Sequence, residues 1–125
     1  MVDKLKAILE LINEDKRNVL LFAVLKIDEI TDRWSIVYSE SDITDEKTRK
    51  ETFLYLANKL IANLDKKDIN TIARVAVSSS DNHLVEALMQ FKSGYEIKES
   101  TPVNGNIVHE GYILSSKSLW LSSKV

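Results

Sequence analysis

The chain has 125 residues, 44% apolar and 29% charged, with 17 basic against 19 acidic side chains and a net charge of −2. That length and balance point to one globular domain spanning residues 1–125 and exclude a disordered chain. The near-neutral charge, with neither half a basic pole, disfavours a nucleic-acid binder held by bulk electrostatics, and the absence of Cys excludes a disulfide framework, a thiolate metal site and a thiol nucleophile.

The opening stretch interleaves Lys4, Lys6 and Glu10 with its apolar residues and is followed by no small-residue cleavage site. It is expected to be a helix rather than a signal peptide, capped by Asp3 and apolar on the Leu5, Ile8, Leu9, Ile12 face. Asn13 to Asn18 is a polar break. Val19-Leu20-Leu21-Phe22-Ala23-Val24-Leu25 is apolar on both faces and far too short for a membrane span. It predicts a strand buried on both sides, at the centre of a covered sheet. Asp28 to Asp32 is turn-like, and 33–39, with Trp34, Ile36 and Tyr38 on one face, returns as its hairpin partner.

Thr44 is the expected cap of a second helix running to about Leu64, with Phe53, Leu56, Ala57, Leu60, Ile61 and Leu64 as its apolar stripe. Asp65-Lys66-Lys67-Asp68 ends it. A short strand follows at 72–77, with Ala73, Val75 and Val77 on one face and Arg74 on the other. Ser80 or Asp81 is expected to cap a third helix carrying Leu84, Val85, Leu88, Met89 and Phe91, closed by Gly94. Residues 95–99 read as a strand, Thr101 to Asn106 as a loop with Asn104-Gly105 as its hairpin signal, and 107–114 as the returning strand. The tail, 115–125, sets Leu119, Trp120 and Leu121 among serines and lysines, which fits a docked helix or a frayed end equally well.

The order α-β-β-α-β-α-β-β predicts an α+β domain with a mixed five-stranded sheet and three helices. The second strand, second helix and third strand form a parallel crossover. Two stretches end alike, Tyr38-Ser39-Glu40-Ser41-Asp42 and Val77-Ser78-Ser79-Ser80-Asp81, each at a strand-to-helix elbow. If the two strands are parallel, both elbows lie at the carboxyl edge where open sheets take ligands. Ser39, Ser41, Asp42, Ser78, Ser80, Asp81, Asn82 and His83 are therefore the candidate ligand-binding residues, with a small anion as the class of ligand, although Ser and Asp there also serve simply as caps and turn formers.

Three carboxylates, Glu40, Asp42 and Asp81, would suit a divalent cation if they converged, and Glu96-Ile97-Lys98 has the Glu-x-Lys spelling of metal-dependent nucleases without the elements that usually follow it. The two histidines, His83 and His109, share no metal-ligand spacing and cannot make a structural zinc site without several carboxylates; His109, on an alternating strand, reads as half-buried. Glycine occurs only at 94, 105 and 111, which excludes the dinucleotide fingerprint and the P-loop in their usual spelling. No G-x-S-x-G elbow is present. Trp34, Tyr38, Tyr95 and Tyr112 lie on strands, where packing explains them better than stacking on RNA.

The residues name no catalyst, cofactor or metal. The leading expectation is a cytoplasmic binding or accessory module, without membrane attachment, that works as a homo-oligomer or in a small protein complex. Leu119, Trp120 and Leu121 are its candidate interface, and removal of 117–125 would then change the oligomeric state. The alternative is a metal-dependent phosphoester hydrolase, or a small-anion binder, using the elbows.

Overall fold

The computed structural model describes residues 1–27 and 32–117. Within them the protein is an α+β domain, and the chain runs through α1 (Val2–Glu14), β1 (Val19–Ile27), β2 (Trp34–Glu40), α2 (Glu46–Asn63), a single turn α3 (Lys66–Ile69), β3 (Ile72–Val77), α4 (His83–Leu88), β4 (Glu96–Ile97), β5 (Thr101–Val103) and β6 (Asn106–Ser116). The mixed sheet has six strands in the order β3-β2-β1-β6-β4, with β5 also on β6. Only β2 and β3 are parallel; β1 is antiparallel to both neighbours. No helix among the described residues is long and apolar enough to cross a membrane. The candidate interface Leu119, Trp120 and Leu121 lies outside the described residues.

The centre of the sheet is β1, as its unbroken apolar run requires. Leu21 to Leu25 are fully buried, and alternation sends Phe22 and Val24 to one face and Leu21, Ala23, Leu25 and Ile27 to the other. The first face is covered by Leu5, Ile8 and Ile12 of α1 and by Leu56, Leu60 and Leu64 at α2. The second is covered by Val85 and Leu88 of α4 and by Val103 and Val108 of the last hairpin. Gly111 allows β6 to close against β1: a Cβ there would stand 2.7 Å from the Leu25 side chain.

Three caps differ from those expected. Asp3 sits inside the first turn of α1, whose N-cap is Met1. The cap of α2 is Asp45 rather than Thr44: its carboxylate accepts the Thr48 amide at 2.8 Å, while the Thr48 hydroxyl accepts the amides of Thr44 and Asp45. Asp45 is also placed for the positive end of the helix, where a carboxylate is worth more than a hydroxyl. For α4 the cap is Asn82, which accepts from both Leu84 and Val85, because Asp81 instead takes the hydroxyl proton of Ser79.

Two further differences concern extent. The segment assigned to a loop at 101–106 contains a sixth strand, β5, joined to β6 by the two-residue turn Asn104-Gly105 with φ of +48° and +78°. Positive φ at both positions is what a tight hairpin with matching twist demands. Pro102 fits β5 because this short strand lies off the main path of the sheet. On α2 the buried line is Thr52, Leu56, Leu60 and Leu64, and Ile61 stands 65% exposed on a different flank.

Candidate functional site

Because β2 and β3 are parallel and adjacent, their carboxyl ends do share one edge, where the Ser78 amide donates to the Tyr38 carbonyl at 3.2 Å. The two elbows nevertheless meet different fates. Ser78, Ser79, Asp81 and Asn82 line a shallow cleft of about 260 Å³ with Ile43, Thr44, Asp45, Glu46 and Arg49 at the start of α2. Arg49, the one cation among the described residues lining it, is bound at 2.6 Å by Glu46, and Asp45 already occupies the Thr48 amide of the helix start. The cleft is thus acidic and internally satisfied rather than shaped for an anion.

The remaining candidates do not join it. Ser41 lines a separate hollow of about 410 Å³ with Asn13, Arg17, Asn18, Ser115 and Lys117. Asp42 is exposed and accepts from Asn18 at 3.3 Å. Ser39 is fully buried, its hydroxyl without a hydrogen-bond partner. Ser80 and His83 are exposed and line neither hollow.

Glu40 is fully buried and belongs to a network that the sequence alone does not reveal. The Tyr38 hydroxyl donates to it at 2.5 Å and Arg17 Nε at 3.1 Å; Arg17 Nη2 lies 3.0 Å from the other oxygen, at ion-pair distance but off the hydrogen-bonding direction. The guanidinium rests 4.1 Å above the Tyr55 ring. Tyr55 in turn donates to Asp15, which also takes Lys59 at 2.8 Å. Burial, reinforced by the bond to Glu40, pushes the Tyr38 phenol far above its ordinary value. Burial opposes the charge on Arg17, but its bonds to Glu40 and the surrounding charges outweigh this and hold its pKa up. The network pins the α1–β1 turn, the end of β2 and α2 to one another. One oxygen of Glu40 takes both hydrogen bonds and the other has only the ion pair with Arg17, and among the described residues no three His, Cys, Asp or Glu side chains are grouped to hold a metal ion.

At the opposite end of the sheet Lys26 Nζ lies 4.6 Å over the Trp34 ring and 3.4 Å from Glu110, and Trp34 packs on Tyr112 with ring centroids 5.9 Å apart. Of the expected aromatics, Tyr38 is core, Trp34 and Tyr112 are half-buried, and Tyr95 stacks on Phe91. Glu96 and Lys98 pair loosely with each other at 3.8 Å. His109, half-buried as expected, shares a 3.0 Å hydrogen bond with Ser100.

A different surface stands out at β3. The sheet's far edge is protected: β4 is two residues long, with Glu96 in it and Lys98 beside it, and β5 is three residues with a proline. Such features keep an edge from pairing with other chains. By contrast β3 has six residues, no proline and one charge, Arg74, and among the described residues it pairs only with β2. Beside it, α2 exposes Leu54 at 60% and Ile61 at 65%, two of the three large apolar side chains exposed among the described residues. Sequence reading placed Ile61 in the core stripe and missed this surface. Its signal was available: Leu54, Ala57 and Ile61 form a second stripe at i, i+3 and i+7.

Comparison with protein-family models, with curated proteins and with solved structures finds no match to this chain.

Proposed function

We propose that this chain is a binding or accessory module that acts through a docking face made of the outer edge of β3 and the Leu54–Ala57–Ile61 flank of α2. The observation that carries the reading is the contrast between the two sheet edges: one is shortened, charged and proline-bearing, while the other offers a longer, proline-free apolar strand, irregular only at Ala73, next to two exposed aliphatic side chains. An open strand edge supplies main-chain donors and acceptors for an added strand, and apolar side chains beside it supply area. The absence of Cys suits a reducing, cytoplasmic setting for such a module.

The test uses a displayed library of short peptides, selected on wild-type protein immobilised sparsely enough to keep copies apart. Binders are then counter-screened on Leu54→Glu/Ile61→Glu, a surface change expected to cost little stability. Enrichment of alternating apolar sequences that the double variant no longer binds supports the docking face. A selection yielding no sequence whose binding those substitutions remove overturns it.

A further inference from the structure

We infer that the occupant of this face is a second copy of the same chain, joined β3 to β3 about a two-fold axis at Val75. The inference rests on the docking face proposed above and names its partner.

The strand is self-complementary in a definable register. A two-fold axis perpendicular to a sheet pairs residues antiparallel and keeps each side chain on its own face, so the axis must pass through a residue rather than between two. Centred on Arg74 (β3's one charge), the pairing would set Arg74 against its own copy, and like charges directly opposite are destabilising. Centred on Val75, it sets Val75 against Val75 and Arg74 against Ala76, on the regular part of β3 that follows the register shift at Ala73. That register keeps the two arginines from facing each other and leaves only small or branched apolar side chains opposite each other and opposite the arginines.

The helix above the strand fits the same symmetry. Tyr55 and Lys59 of α2 turn toward Asp15 at the end of α1, and Thr52, Leu56 and Leu60 turn to the sheet. At about 100° per residue, Ala57 then points sideways from α2, away from α1 and toward the β3 edge, with Leu54 and Ile61 one turn to either side. Val75 and Val77 pack into the same cluster as Leu56 and Leu60, so helix and strand edge belong to one face of the sheet. With strands about 4.8 Å apart, two helices seated over the β2–β3 pairs of a continuous sheet lie about 9–10 Å apart. That is the distance at which helices pack, and the small Ala57 stands at the closest approach. A second copy thus satisfies the strand edge and the helix flank together.

Two measurements test this. Sedimentation equilibrium of the full chain at micromolar concentrations should give the dimer mass, reduced toward monomer in Leu54→Glu/Ile61→Glu. Because the chain has no Cys, single substitutions then read the register. Val75→Cys brings two Cα atoms to about 4.5–5.5 Å, within disulfide reach, and should cross-link under mild oxidation. Ala73→Cys leaves its two copies about 13 Å apart along the strand and should not. A monomer at every concentration overturns self-pairing while leaving the docking face to be decided by the displayed peptides. A dimer in which Ala73→Cys cross-links as readily as Val75→Cys overturns the assigned register and with it the inference.

Discussion

The two elbows are spelled almost alike, yet one is interior and the other is surface. After β2, flanked on both sides by strands, Ser39 and Glu40 are fully buried and Glu40 draws Arg17 and Tyr38 into an ionic network. After β3, at the edge, Ser79, Ser80 and Asp81 stay near solvent and do no more than arrange the start of a six-residue helix. Position in the sheet, rather than local spelling, decides whether a polar turn must be paired at depth or can be left to water.

The comparison breaks most visibly at Arg17. Arg17→Ala takes the guanidinium away from the buried Glu40 carboxyl, leaving it only the Tyr38 hydroxyl, and should cost about 3–5 kcal/mol, measured by urea unfolding. Glu40→Gln should cost less, because Arg17 keeps 31% of its side-chain surface in water. Equal losses in both variants would show that the buried charge is not what matters. At the second elbow Asn82 caps α4 by accepting two amides, so Asn82→Ala should cost about 1 kcal/mol and speed amide exchange in α4 alone. Ser39→Ala runs the other way: deleting a buried hydroxyl without a partner should leave stability unchanged or raise it by up to about 1 kcal/mol.

The smallest effect separates the helices that follow the elbows. The Thr48 amide holds the Asp45 carboxyl below its ordinary value, whereas Asn82 does not titrate. A depressed carboxyl contributes stability that is complete above its unfolded pKa of about 3.9 and is lost as pH falls through the lower folded value. Thermal midpoints should therefore stay level from neutrality to about pH 4 and decline below it. Asp45→Asn, which keeps a good cap, should flatten part of that decline. An unchanged acid limb would remove Asp45 from the account.

Much of this architecture was legible because it rests on periodicity. The seven-residue apolar run demanded a central strand, the Leu56–Leu60–Leu64 spacing a covering helix, and Asn104-Gly105 a hairpin. Legibility stopped where tertiary partners decide. Asn82 displaced Asp81 because the Ser79 hydroxyl had already claimed that carboxylate, and Asp45 displaced Thr44 because a reciprocal pair of bonds with Thr48 forms one residue further on. Short strands such as β5 carry too few residues for alternation to show. Glu40 looked like a metal ligand until Arg17, 23 residues away, was seen against it. Ile61 was assigned to the core because an i, i+4 count cannot say on which flank of a helix the sheet lies.

The place of β1 also bears on how the chain becomes folded. One side of β1 is matched by β2 through a local hairpin, but the other waits for β6, with Leu21 pairing Ser116 and Ile27 pairing Val108. Contacts so far apart in sequence slow folding, since the intervening loop entropy is lost before they form. On a ribosome, β1 is therefore synthesised well before the strand that completes it. Throughout that interval its open side is a nucleus for aggregation, and the yield of folded protein should depend on how quickly translation delivers β6.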